Sequence, residues 1–391
     1  MDKKAIKGYA DLTEDLQWTA DCILGDLESI EDAIGVKIVV RTIAHSVSRL
    51  TFLIDPINDW SNARLLYQIE DRMTAIVGYD KVRLYSFWPN VPGFCGVAIS
   101  YKYSDDKPVE GLINQGNYLV AKNDTNQLPI LLGVDLLGKP MVIDLAKLSC
   151  LAIYGGDTYA QGRFLQPLYT RLADTDAGRS MDFLFIGGQG TNVLPKSLIE
   201  ANLCPYSAKY RDLVYADAEV RKSWAVHTRS VIRHLSSEVE RRKERFEELN
   251  VKSFEEYNSK AGEKINRILV VVHNIPNMPD RKDPNYDILS EVIEDLSNLV
   301  LGANMRLGVH VVYSNFMPDH DDYIHRYISM QSGSPEYDST IGMAVFYAQL
   351  EAADARRIIS CNEGRYSNGS FMVYRSPENE IHGIDLFQTK D

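Results

Sequence analysis

The chain has 391 residues, of which 45% are hydrophobic and 25% charged, the profile of an ordinary globular protein. Its formal net charge of −12 argues against tight DNA binding by this chain alone, because DNA binders need a basic surface. No apolar run reaches the roughly 18 residues that a membrane span requires. The N-terminus also lacks the apolar core of a secretory signal. We therefore expect a cytoplasmic protein without membrane insertion, whose five widely spaced cysteines are free thiols.

The first third of the chain predicts a small mixed α and β unit. Residues 9–34 carry apolar side chains at near-helical spacing, which indicates one or two amphipathic helices. A strand hairpin, a helix and two strands are predicted next, at 35–54, 62–77, 81–87 and 94–101. We assign an N-terminal helical segment to 1–34 and a small α+β domain to 35–115, with a polar linker at 104–118.

Buried strands alternate with helices through the rest of the chain, which we assign to one domain over 116–391. Strands are predicted within 128–154 and at 180–188, 266–276 and 307–315, and helices at 164–173, 217–250 and 288–306. This alternation indicates a mostly parallel sheet with helices on both faces. The helix at 217–250 carries opposite charges at i,i+4 spacing, which predicts a solvated surface helix.

The loop after the strand ending at Tyr154 lies where an ATPase would hold its phosphate-binding loop. A working loop reads G-x-x-x-x-G-K-[S/T], with Lys on the phosphates and a hydroxyl on Mg²⁺. Counted from Gly155, the last positions are Ala160, Gln161 and Gly162, so both groups are missing. The degenerate site comprises Gly155, Gly156, Asp157, Thr158, Tyr159, Ala160, Gln161, Gly162 and Arg163. One alternative is a site that binds nucleotide weakly through backbone N–H groups. The other is a surface turn without nucleotide, in which Tyr159 and Arg163 occupy the phosphate space, and we favour this turn.

Several strings, in this order, resemble the FtsK/SpoIIIE family of DNA-translocating ATPases. They include LPILLGVDLLGKPMVIDLAKLSCLAI (128–153), SSEVERRKERFEELNVKSFEEYN (236–258), LGVHVVYSN (307–315) and QLEAADARRII (349–359). The resemblance extends from about residue 35 to about residue 385. It implies a RecA-like P-loop NTPase motor domain over 116–391, preceded by the family's small α+β domain over 35–115.

The departures from the family pattern fall on the catalytic positions. Where the family has Asp-Glu after a buried strand, for Mg²⁺ and the attacking water, this chain has His273 and Asn274. A hydrogen-bonded structural role is favoured there over a remnant metal site. Ser314 and Asn315 replace a sensor-like Thr-Gln pair, and Arg306 is the candidate intersubunit arginine. The resemblance therefore implies neither catalytic residues nor a metal site, and leaves ATP or ADP with Mg²⁺ as a weakly supported cofactor.

These departures predict a pseudo-ATPase that serves as a binding or assembly subunit of a DNA-translocation or transfer machine. Expected partners are an active FtsK-like paralogue, DNA or further copies in a hexamer. The alternatives are an active double-stranded DNA translocase with unusual catalytic residues, a type VII secretion-like substrate-docking module, and an ATP-binding sensor that does not hydrolyse. The acidic segment 317–340 is a candidate protein-contact loop and argues against DNA tracking.

Overall fold

A computed structural model describes the helices, the strands and several connections of the chain. The described residues are 3–35, 37–45, 49–54, 63–77, 82–87, 96–102, 128–135, 140–155, 164–166, 168–169, 172, 181–187, 207–209, 218–275, 279–301, 305–315, 341–346, 371–375 and 381–386. The predicted linker at 104–118 and the acidic segment at 317–340 lie outside them. The boundaries of the predicted domains stay a prediction.

The N-terminal part is a four-stranded antiparallel sheet with two helices. Its elements are α1 (Glu14–Ile34), β1 (Val40–His45), β2 (Arg49–Ile54), α2 (Ala63–Val77), β3 (Val82–Phe87) and β4 (Gly96–Lys102), and the strand order is β1-β2-β4-β3. The segment predicted at 9–34 thus contains one long helix that begins at Glu14, and the predicted hairpin, helix and two strands are present. Leu24 and Leu27 of α1 are buried in the same hydrophobic cluster as Phe52 of β2. α1 ends at Gly35, whose φ of 69° suits glycine at a helix C-terminus.

The rest of the chain builds a ten-stranded mixed sheet. Its strands are β5 (Pro129–Asp135), β6 (Pro140–Asp144), β7 (Cys150–Gly155), β8 (Met181–Gly187), β9 (Ser207–Lys209), β10 (Arg267–His273), β11 (Val309–Asn315), β12 (Ile341–Phe346), β13 (Phe371–Arg375) and β14 (Ile381–Leu386). The order is β6-β5-β14-β13-β12-β7-β11-β10-β8-β9. The six strands from β12 to β9 are parallel, and the other four join antiparallel.

The central strands bury both of their faces in separate hydrophobic clusters. In β7, Ala152 and Tyr154 belong to one cluster, whereas Leu151 and Ile153 belong to the other. The first cluster lies under α3 (Ala218–Glu248), α4 (Phe254–Lys260) and α5 (Tyr286–Leu301), and the second lies under the helical residues at 164–172. Helices thus cover both faces of a mostly parallel sheet, as the alternating pattern predicted.

The prediction of a solvated helix is wrong at one position of α3. Arg242 is only 2% exposed. Its guanidinium donates to Glu238 Oε1 at 2.8 Å, to the Leu307 carbonyl at 2.8 Å and to the Asn266 carbonyl at 2.6 Å. Arg242 therefore anchors α3 to the turns that precede β10 and β11, because a buried guanidinium needs several acceptors. The neighbouring Arg241 is half exposed and follows the prediction.

Two further expectations concern thiols and membrane segments. Cys22 and Cys150 are free thiols, as expected, and the other three cysteines lie outside the described residues. Among the helices that the structure describes, none is both long enough and apolar enough to span a bilayer.

Candidate functional site

The candidate site lies at the carboxyl ends of the central parallel strands. His273 at the end of β10 pairs in register with Ser314 of β11 on one side and with Gly187 of β8 on the other. β7 and β11 are neighbours. The next strand after β7 is β8, which lies beyond β11 in the strand order, whereas the next strand after β11 is β12, which lies beyond β7. Such a switch point opens a crevice at the carboxyl ends of the strands, where ligands bind in α/β proteins.

The structure places the first residue of the degenerate phosphate loop at this crevice. Gly155 ends β7 with a φ of 78°, a left-handed conformation that favours glycine. The remaining predicted positions, Gly156, Asp157, Thr158, Tyr159, Ala160, Gln161, Gly162 and Arg163, lie outside the described residues. The choice between a nucleotide cradle and a filled turn therefore stays a prediction.

His273 is fully buried and held by hydrogen bonds from two sides. Its Nε2 lies 2.8 Å from Asn274 Nδ2, and its Nδ1 lies 2.6 Å from Ser314 Oγ. Because the amide N–H of Asn274 donates, Nε2 accepts, and a neutral ring then carries its proton on Nδ1 and donates to Ser314. The ring of Phe185 lies alongside, with its centroid 6.3 Å from that of His273. The arrangement is a polar chain, Asn274 to His273 to Ser314, inside the protein.

The backbone fixes Asn274 in the geometry that this chain needs. Asn274 has a φ of 45°, a left-handed conformation that Asn tolerates better than most residues. Its backbone N–H donates to the Ser314 carbonyl at 2.8 Å, which prolongs the β10–β11 pairing by one residue. The conformation turns the side-chain amide back onto the imidazole of the preceding residue. The pair of residues at the predicted catalytic position therefore contact each other and β11.

The other sensor-like residue contacts its own strand. Asn315 Nδ2 donates to the Tyr313 hydroxyl at 3.1 Å, and the Tyr313 ring packs edge-on against Tyr154 with centroids 5.8 Å apart. Trp224 of α3, a residue that sequence reasoning missed, donates its indole N–H to the Gly187 carbonyl at 3.2 Å. A tryptophan near the start of a predicted long helix was the sequence signal that could have indicated this buried contact. Side chains thus cover the ends of β8, β10 and β11.

The described donor atoms at these strand ends do not suit Mg²⁺. Mg²⁺ is held in nucleotide sites by carboxylates together with phosphate oxygens and water. Imidazole and amide groups stand at the ends of β10 and β11 instead, and Ser314 Oγ is engaged by His273. Within the described ranges, no three His, Cys, Asp or Glu residues are grouped as a metal site.

A second buried polar cluster lies at the opposite edge of the sheet, where the parallel strands begin. His310 Nδ1 donates to the Leu148 carbonyl at 3.0 Å, and Arg267 Nη1 donates to His310 Nε2 at 3.1 Å. Arg267 also pairs with Glu255 and lies 4.4 Å from the centroid of the Phe254 ring. Burial lowers the pKa of His310 to about 4, and the guanidinium adds to the effect. The cluster joins β10, β11 and α4 and is far from the crevice.

Comparison with known proteins relates the chain to one group of ATPases. It is 24% identical over 233 residues to the DNA translocase FtsK of Chlorobaculum tepidum. The chain is thus similar in sequence to part of an FtsK-type DNA translocase. The match covers 59% of this chain but only 27% of the FtsK relative, so the chain spans about a quarter of that protein. No protein-family model matches the chain.

Solved structures of conjugation and secretion proteins resemble the chain. The conjugation coupling protein TcpA of pCW3, in a monomer form with ATPγS, is 12% identical, with a TM-score of 0.52 over 94% of both chains. The cytoplasmic domain of the type VII secretion ATPase EccC of Thermomonospora curvata is 13% identical, with a TM-score of 0.48 over 68% of this chain and 29% of its own. The TcpA likeness over nearly the whole length confirms the P-loop NTPase-like α/β fold.

Among the predicted residues, Arg306 is not brought to the crevice of its own chain. It is exposed in the short 3₁₀ helix Met305–Leu307, immediately before β11. The seven residues of β11 separate it from Asn315 by about 20 Å, at roughly 3.3 Å per residue. The intersubunit role of Arg306 stays a prediction.

Proposed function

We propose that the chain is a pseudo-ATPase, an FtsK/SpoIIIE-like subunit that does not hydrolyse ATP and acts through its surfaces. It serves as a binding or assembly component of a DNA-translocation or transfer machine. The observation that carries this proposal is the enclosed chain of Asn274, His273 and Ser314 at the carboxyl ends of β10 and β11.

The physical argument rests on charge at those strand ends. Phosphoryl transfer depends on positioned charges, among them the carboxylates that hold Mg²⁺ and orient the attacking water. His273 and Asn274 supply no carboxylate, and His273 is turned inward onto Ser314 instead of outward to a ligand. The sequence also lacks Lys and a hydroxyl at Gln161 and Gly162. A site without all of these groups lacks the electrostatic stabilisation that carries the reaction.

The kind of machine is inferred from the related proteins. The FtsK relative is named a DNA translocase, and TcpA is a coupling protein of conjugation. A subunit of this fold that lacks turnover keeps the surfaces by which such proteins contact their assemblies. The partner is an active FtsK-like paralogue or another protein of the machine, with DNA as a further candidate. The cytoplasmic location stays a prediction.

ATP hydrolysis by the purified chain tests the proposal. We expect turnover at the level of a protein-free blank, with and without double-stranded DNA, and no change in the Gln161→Ala variant. The FtsK motor of Chlorobaculum tepidum, assayed in parallel, checks that the conditions support DNA-stimulated hydrolysis. Circular dichroism shows that each variant is folded.

DNA-stimulated turnover that disappears in Gln161→Ala or His273→Ala would overturn the proposal and favour an active translocase. Calorimetry with ATP, with and without Mg²⁺, addresses the sensor alternative. Saturable ATP binding without hydrolysis supports a sensor, whereas the absence of binding at about 1 mM nucleotide removes it.

A further inference from the structure

The outer face of α1 combines acidic side chains with an exposed tryptophan. α1 contains seven Asp or Glu residues and no Lys or Arg. Trp18 is 72% exposed, the largest exposed fraction among the large apolar side chains that the structure describes. The acidic face consists of Glu14, Asp15, Trp18, Cys22 and Gly25, all exposed and all on one side of α1.

The acidic face is shaped for close contact with another helix. Gly25 has no atom within 4 Å of the place where a Cβ would lie, and Cys22 has a small side chain. No large side chain therefore protrudes from this face on the C-terminal side of Trp18. Some acids of α1 are already engaged within the chain, since Asp21 accepts from Tyr9 and pairs with Lys3. Glu14 and Asp15, one turn before Trp18, point outward and form no ion pair with a described residue.

The first half of α3 has the opposite charge. Between Glu219 and Glu238 it carries four Arg or Lys residues and no acid. Two of these cations are bound within the chain, because Arg221 pairs with Asp283 and Arg229 with Glu291. The basic face consists of the exposed residues Lys222, Val226, His227, Ser230, Arg233 and His234.

The basic face also offers an apolar contact. Val226 is 53% exposed, one turn from Lys222 and two turns from Arg233. Neither of these two cations forms an ion pair with a residue that the structure describes. Cations near the face of an indole ring are attracted to it. The basic face thus offers two cations and an apolar side chain to an acidic helix with an exposed tryptophan.

We propose that the acidic face of one copy docks on the basic face of a second copy of this chain. Opposite charges and an apolar residue on each side make the two surfaces complementary, and a buried tryptophan is a typical anchor of an interface. The proposal does not depend on the absence of ATP hydrolysis.

The contact is of the head-to-tail kind, because it joins two different surfaces. Each added copy leaves one acidic and one basic face open, so assemblies grow until a ring closes or the chain of copies ends. Two helices alone bury less area than the roughly 1,600 Å² of a standard interface, so we expect a Kd on the order of 10 µM or weaker. Salt should weaken it further, since exposed charges are screened over about 10 Å at 0.1 M.

Sedimentation velocity of the full chain at increasing concentration tests the proposal. We expect the wild type to associate at low salt and to dissociate at high salt. Trp18→Ala should weaken association by about 10-fold or more, and Arg233→Glu should weaken it too. Ile76→Ala and Lys264→Glu are matched controls, because they change an exposed apolar residue and an exposed cation outside both faces.

Mixing the two variants gives the decisive measurement. Trp18→Ala copies keep an intact basic face, and Arg233→Glu copies keep an intact acidic face. Each variant alone should be monomeric, whereas their mixture should form dimers and nothing larger. If Trp18→Ala is unfolded by circular dichroism, Asp15→Lys replaces it on the same face.

Three results would overturn the proposal. The first is a wild-type chain that stays monomeric up to about 500 µM at low salt, which would leave the acidic face to a different basic partner. The second is a mixture of the variants that fails to dimerise although the wild type associates. The third is an equal loss of association in the control variants. None of these results bears on ATP hydrolysis, so this proposal and the proposed function fail separately.

Discussion

Replacing Arg242 by alanine should destabilise the protein far more than the same change at Arg241. The two residues are neighbours in α3 and share Glu238 as a partner, at 2.8 Å from Arg242 Nε and 2.7 Å from Arg241 Nε. They differ in burial, because the side chain of Arg242 is 2% exposed and that of Arg241 is 52% exposed. The comparison therefore sets a buried arginine, with two further carbonyl acceptors, against an exposed arginine that binds the same carboxylate.

The expected loss in the free energy of unfolding depends on which groups lose a partner when each arginine is removed. Without Arg242, the carbonyls of Leu307 and Asn266 lose their donors, and Glu238 loses its buried cation. Burial by itself raises the pKa of Glu238, but hydrogen bonds from both arginines hold that pKa below its ordinary value. Breaking a buried ion pair by removing one partner costs about 3–5 kcal/mol. Removing an exposed partner costs less than about 1 kcal/mol.

Urea unfolding followed by far-ultraviolet circular dichroism measures the difference. We expect Arg242→Ala to lose about 3–5 kcal/mol, which is a large part of the free energy of unfolding of a typical domain. Arg242→Lys should fall in between, because an ammonium group keeps the charge but cannot reach all three acceptors. Equal losses in Arg242→Ala and Arg241→Ala would refute the reasoning, since burial would then make no difference.

Three further predictions concern His310 and Gly308, at the edge of the sheet where the strands begin, and Gly25 in α1. With a folded pKa of about 4 against about 6.5 unfolded, His310 contributes stability that is complete above pH 6.5 and is lost as pH falls toward 4. The loss should reach about 3 kcal/mol, at about 1.4 kcal/mol for each pKa unit, because burial and then the Arg267 charge oppose protonation of the ring. Urea unfolding across this pH range should show a flatter dependence in His310→Gln, and an unchanged slope contradicts the argument. Gly308→Ala should cost about 1–3 kcal/mol, because φ is 73° and the added Cβ would lie 2.4 Å from Phe254, whereas Gly25→Ala should stabilise α1 by about 0.5–1 kcal/mol. A thermal melt in which Gly308→Ala matches the wild type would contradict this assignment.

Local patterns in the sequence were sufficient for most of the individual elements. The strand predicted at 266–276 is β10 (Arg267–His273), and the helix predicted at 217–250 is α3 (Ala218–Glu248). Both patterns report burial along one segment, which is the information that periodicity carries. The residue types at the end of β10 are read directly from the sequence, so the absence of carboxylates at His273 and Asn274 needed no structure. The resemblance to FtsK then identified these positions as those where the family has Asp and Glu.

The pairing of distant strands was beyond the reach of these patterns. β13 and β14 were not predicted, and nothing local indicated that they join β5 and β6 to the parallel strands. Hydrogen bonding between strands far apart in the sequence is decided by the whole sheet. The same holds for Trp224, whose partner carbonyl on Gly187 lies 37 residues earlier in the chain.

The sequence by itself determined the class of fold and the absence of charged catalytic groups after the central strand, because both depend on residue types in order. Only the tertiary structure decided what the substituted residues do. His273 contacts Ser314 across 41 residues of chain, and Arg242 contacts the Leu307 carbonyl across 65. Such contacts form when separate elements pack together, and burial then gives a common side chain a particular role. A charge pattern typical of a surface helix therefore contained one buried anchor.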